Sequence, residues 1–130
     1  MSLTIGLTGR AETTVVQENT AAAVGSGLLP VFATPMMVAL MENAAVNALI
    51  GHLDEGEGSV GTHMDISHDS ATPIGLKVWA KAQLTAVDGR ALTFSVTAYD
   101  EAGPIGKGVH QRFIIQNEKF MGKALKKKEG

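Results

Sequence analysis

TPMMVALMENAAVNALIG (residues 34–51) reads as a single helix that is apolar on nearly every side. Thr34 is a good N-cap residue, Pro35 suits the first helical position because its missing N–H costs nothing there, and Gly51 provides a stop. Between them only Glu42, Asn43 and Asn47 are polar, so the helix is expected to be enclosed by other structure rather than to lie on a surface.

The chain on either side supplies a wrapper. Residues 10–18 hold the β-branched cluster Thr13 to Val16, which favours a strand, and residues 19–33 form a loop of small residues containing Gly25, Gly27 and Pro30. After the helix the period becomes two. Val60, Thr62, Met64, Ile66 and His68 are expected to share one strand face, and Leu76, Val78, Ala80, Ala82, Leu84 and Ala86 another. Asp88-Gly89 marks a tight hairpin. Leu92, Phe94, Val96 and Ala98 then alternate with polar residues. A last strand over 104–116 puts Val109, Phe113 and Ile115 opposite His110, Arg112 and Ile114. The order β-α-β-β-β-β predicts an α+β fold, a curved antiparallel β-sheet wrapped around a long central α-helix. Pattern alone leaves a cystatin-like or other sheet-and-helix fold open.

Composition narrows the function classes. At 130 residues and 45% apolar content, one domain over 1–130 is the expectation. A net charge of -2 with both signs scattered offers no basic stripe to nucleic acid. The lysine run Lys126 to Lys128 is expected to be a solvated tail. The chain contains no cysteine, which removes disulfides, thiolate metal sites and thiol nucleophiles. Neither a signal-peptide pattern nor an apolar run of spanning length is present, so a cytoplasmic protein without membrane contact is expected.

A few residues stand out against this background. Glu42 is a lone carboxylate in an apolar helix; it lies either on an exposed strip beside Asn43 or in a polar cavity where chemistry occurs. His68 closes a strand before the turn-forming run Asp69 to Pro73, which suits either a structural role or a pocket rim. Thr34 places a hydroxyl where the helix dipole favours negative charge. Gly61 removes a side chain within a strand, marking a bulge or a close ligand approach. Arg112 could contact a phosphate or carboxylate, or be an ordinary exposed strand residue. The run His63 to Asp69 looks like a metal cluster, but strand alternation sends His63 and Asp65 to one face and His68 to the other, so no metal is expected.

Four segments, VFATPMMVALMENAAVNAL, EGEGSVGTHMDISHDSATPIGL, LTAVDGRALTF and GKGVHQRFII, occur in an order that resembles the fluoroacetyl-CoA thioesterase family of the hotdog superfamily, over roughly residues 10–116. The resemblance implies the hotdog fold, with the catalytic threonine, glutamate and histidine at Thr34, Glu42 and His68, and acyl-contacting positions at Gly61 and Arg112. It implies an acyl-CoA thioesterase needing no cofactor, since coenzyme A belongs to the substrate. It also implies a homodimer, with sites at the subunit interface and the pairing of dimers into tetramers left open. Where that family has phenylalanines forming a lid before the helix, this chain reads Gly25-Ser26-Gly27-Leu28-Leu29, so a small or modest acyl group is expected rather than strict fluoroacetyl selectivity. The competing readings are a hotdog hydratase, whose Asp and His pair is missing here, and a non-catalytic acyl-CoA-binding or sensing module.

Overall fold

The computed structural model describes residues 3–130. Its elements are β1 (Thr8–Thr14), α1 (Ala21–Val24), α2 (Thr34–Leu49), β2 (Glu57–His68), β3 (Lys77–Asp88), β4 (Ala91–Asp100), β5 (Gly103–Gln116) and α3 (Asn117–Leu125). The five strands form one antiparallel sheet in the order β1-β3-β4-β5-β2, and α2 lies on its inner face. This is the hotdog arrangement. The core is built from the inward residues of β3 and β4, including Val78, Ala80, Ala82, Leu84, Phe94 and Val96, packed on Met37, Met41, Ala44 and Ala48 of α2. Gly9 lets β1 press against the helix, because a Cβ there would run into the Ala44 carbonyl and the Ala48 backbone.

Several sequence expectations are corrected. The first strand covers residues 8–14 and stops short of 18: Asn19 accepts a hydrogen bond from the Val16 N–H at 2.9 Å and donates to the Thr14 carbonyl at 3.0 Å, folding the chain into a 3-10 turn over Gln17–Asn19. The loop after it contains the short helix α1, capped by Thr20 and ended by Gly25 at φ 79°. Ala33, not Thr34, is the N-cap of α2; the Ala33 carbonyl accepts from Met36 and Met37, and Thr34 is already helical. Nor is α2 enclosed all round. Within one chain its strip of Pro35, Ala39, Asn43, Val46 and Ile50 faces outward, with Ile50 69% exposed.

The two strand faces are also interrupted. The β2–β5 register shifts between Gly61 and His63, so the extra residue of a bulge sits at Thr62. Met64, Ile66 and His68 keep the inward face, whereas Val60 and Thr62 do not share it, and Gly61 turns inward instead. A second shift between Leu84 and Ala86 leaves Ala86 exposed rather than on the buried face of β3. In β5 the expected alternation is observed: His110, Arg112 and Ile114 are buried, while Val109 and Phe113 are exposed.

Candidate active site

The last residue of β2 meets the first turn of α2. Thr34 Oγ1 and His68 Nδ1 lie 2.7 Å apart, so the hydroxyl that could have capped the helix is directed across to the strand. The turn after His68 is anchored by Asp69 and Ser70 N–H groups on the Ile105 carbonyl, at 2.7 and 3.2 Å. Further on, buried Thr72 donates to Asp100 at 2.7 Å. The other ring nitrogen of His68, Nε2, is buried and has no hydrogen-bond partner among the described residues. Burial pushes the imidazole below its ordinary value, with the Ser70 backbone and the Asp69 charge opposing that shift. A neutral ring results near pH 7. The pair opens into a cavity of about 240 Å³ lined by Ala21, Phe32, Thr34, His68, Asp69 and Ser70.

A second cluster lies farther along α2. Arg112 is only 6% exposed and is held at every nitrogen. Its Nε donates to Ser59 Oγ at 2.8 Å, Nη2 to the Ser59 carbonyl at 3.0 Å and Nη1 to His110 Nε2 at 3.1 Å. Nη1 also faces Glu42 Oε2 at 3.5 Å. Burial lowers the guanidinium from its usual range, while the Glu42 charge and its hydrogen bond raise it. The Glu42 side chain keeps 40% of its surface exposed, so its carboxylate is steered by Arg112 yet open to a ligand. Gly61 makes this possible. A Cβ there would stand 2.6 Å from Glu42 Oε2 and 3.2 Å from His110 Cε1, so a side chain would have to displace the carboxylate.

The five residues singled out from sequence therefore fall into two groups: Thr34 with His68, and Glu42 with Arg112 and Gly61. Within one chain the groups are separated, since eight residues of helix between Thr34 and Glu42 span about 12 Å. Arg112 is buried rather than an exposed strand residue. His110 and Ser59 were not singled out from sequence, although each shares a strand face with a residue that was: His110 with Arg112, and Ser59 with Gly61. Among the described residues no group of three or more His, Asp or Glu side chains is placed to hold a metal ion. No helix there is long and apolar enough to cross a membrane.

Comparison with known proteins bears on these clusters. Residues 15–118 match the family model described as fluoroacetyl-CoA-specific thioesterase. The fluoroacetyl-CoA thioesterase of Streptantibioticus cattleyicolor is 47% identical over 97 residues, covering 75% of this chain and 70% of that protein. A solved structure of the fluoroacetyl-CoA thioesterase FlK superposes with a TM-score of 0.92 at 37% identity, covering 98% of both chains. A Thermus thermophilus protein described as a thioesterase superfamily member superposes at 0.90 and 29% identity, covering 98% of this chain and 95% of its own. The match spans both clusters and the three elements that carry them, α2, β2 and β5, and on that extent the chain belongs to the fluoroacetyl-CoA-specific thioesterase family of hotdog proteins.

Proposed function

We propose that the protein, a thioester hydrolase by its family, cleaves acyl-CoA thioesters with a small or modest acyl group, in a site that two copies of the chain complete together. The observation that carries this reading is the division of the site residues into two clusters on one chain. β2 is a twelve-residue strand at the sheet edge, and a free edge of that length is a template for pairing. Antiparallel pairing of β2 with its own copy about a two-fold axis reverses the strand ends. With the axis midway between Gly61 and His68, each His68 faces the other copy's Gly61, with Glu42 and Arg112 beneath it. The exposed strip of α2 would be covered by the same association.

In such a site Thr34 Oγ1 and the positive end of α2 polarise the thioester carbonyl. If water attacks, the neutral His68 takes its proton and returns it to the departing sulfur. If the Glu42 carboxylate attacks, no proton is released, the sulfur departs as thiolate, and His68 takes a proton from the water that opens the anhydride. A thiol ionises at about pH 8.5, so the sulfur departs without a strong acid. Glu42 supplies the attack at the acyl carbon, either directly, through an acyl-enzyme anhydride, or by activating water. Single-turnover hydrolysis in ¹⁸O-water separates the routes: direct attack followed by opening of the anhydride at the Glu42 carbonyl leaves label in Glu42 and an unlabelled acid, and water activation puts the label in the acid. Side chains and water carry the whole reaction in this reading.

The acyl preference follows from the segment before α2. Leu28 is 95% exposed and Leu29 65%, so neither forms an aromatic cover over the Thr34–His68 cavity within the chain. Release of coenzyme A thiol from a panel running from acetyl to medium-chain and aromatic acyl-CoAs tests the proposal. Saturable release that His68→Ala abolishes supports it; tight acyl-CoA binding without release from any member would favour a sensing module instead.

A further inference from the structure

His110 is the most deeply buried polar side chain near the carboxylate, 1% exposed on β5, with its ring stacked on Phe94 of β4 at 6.3 Å. Both nitrogens are engaged, and the two partners allow only one protonation state. Nδ1 lies 2.8 Å from the His63 carbonyl oxygen, which can only accept, so Nδ1 carries the hydrogen. Nε2 lies 3.1 Å from Arg112 Nη1, which can only donate, so Nε2 offers its lone pair. Nη1 has two hydrogens, one for His110 and one for Glu42 at 3.5 Å.

We propose that His110 is a positioning residue that locks Arg112, and through it the Glu42 carboxylate, by presenting an unprotonated Nε2 to the guanidinium. The inference rests on the role given to Glu42 above. Ser59 already holds Nε and Nη2, at the far side of the guanidinium. The guanidinium is rigid and planar, so with Nε and Nη2 held, Nη1 keeps only a tilt about that edge, and without a partner it would tilt with the partly exposed Glu42 carboxylate. His110 removes that freedom. Its other bond ends on His63, the residue at which the β2 register shifts, so the bulge that turns Gly61 inward and the arginine that steers Glu42 are tied to one ring.

Protonation of His110 would set an N–H against the Nη1 hydrogens and break the lock. The groups that face the ring are Arg112 on its own strand, Glu42 on α2 and His63 on β2, while Phe94 on β4 is uncharged. Burial opposes protonation most strongly, and Arg112 and His63 oppose it too. The His63 carbonyl and the Glu42 charge favour it.

Two variants of the full protein test the assignment. His110→Gln keeps an acceptor that reaches Arg112, and His110→Phe keeps ring volume and stacking but offers none. The expected result is a kcat about 10- to 100-fold lower in His110→Phe with KM within about threefold, and kcat within about fivefold of wild type in His110→Gln. The pH profile supplies a readout that packing alone would not move. Wild-type log kcat/KM falls on the acid side toward a slope of two, as His68 and His110 both gain protons, and His110→Gln reduces the slope to one. Wild-type kcat in His110→Phe, or an identical acid limb in His110→Gln, overturns the proposal. If the wild type hydrolyses no acyl-CoA, the thioesterase reading fails separately. ¹⁵N spectra of the Arg112 guanidinium then decide for the lock: restricted Nη signals present in wild type and His110→Gln but averaged in His110→Phe support it, and no difference refutes it.

Discussion

His68 has one nitrogen bound to Thr34 and one that is buried without a hydrogen-bond partner among the described residues, which is a costly arrangement unless a ligand completes it. Replacing His68 by Ala is expected to lower kcat/KM by about 10²- to 10⁴-fold, the range for losing a positioned acid or base. Circular dichroism should remain native. The pH dependence of stability follows from the same environment. His68 and His110 both titrate below their ordinary value in the fold, so between that value and the folded one the unfolded chain binds more protons. Stability is therefore full above roughly pH 6.5 and declines as the pH falls toward the folded values, which denaturant titrations at a series of pH values would check. Gly61→Ala tests the space beside the carboxylate. It should lower kcat by about tenfold or more with the fold intact, because even one methyl group must move Glu42.

At the scale of elements, β1 and α2 share a contact that tolerates no side chain. Gly9→Val is expected to cost about 1–3 kcal/mol or more, by forcing the strand off the helix, and thermal unfolding would register it. Met41→Ala, on the buried side of α2, should cost about 2–5 kcal/mol through the cavity it leaves. The same elements show what a sequence can and cannot disclose. Apolar periodicity placed α2 and the inward faces of β3 and β4 because burial enforces it residue by residue; in β5 the buried face is the one carrying His110, Arg112 and Ile114, while Val109 and Phe113 face out. The bulges at Thr62 and Thr85 left no such trace: a bulge changes which face every later residue occupies, and pairing with a neighbouring strand decides where it falls. Thr34 illustrates another limit. A threonine before a proline-led helix is indistinguishable in sequence from a cap, and only the approach of His68 draws its hydroxyl away. Glu42 and His68 stood out as polar residues in apolar settings, and Arg112 drew notice as a cation in the last strand. His110 did not, since its partners come from two other strands and the helix.

Among the described residues, the outer edge of β2 and the outer strip of α2 are both left without internal cover. Both adjoin the separated halves of the site, which is why a two-fold pairing accounts for them together. The proposed dimer should sediment at twice the chain mass, with activity per chain falling on dilution below its dissociation constant. Complementation tests the shared site most directly. Glu42→Ala and His68→Ala, each inactive alone, are combined by refolding together, and subunit exchange is verified by native mass spectrometry. If each site takes His68 from one copy and Glu42 from the other, half of the dimers carry one intact site, and about a quarter of wild-type activity returns. Verified heterodimers with no recovered activity would mean that the two clusters do not meet across the two-fold axis.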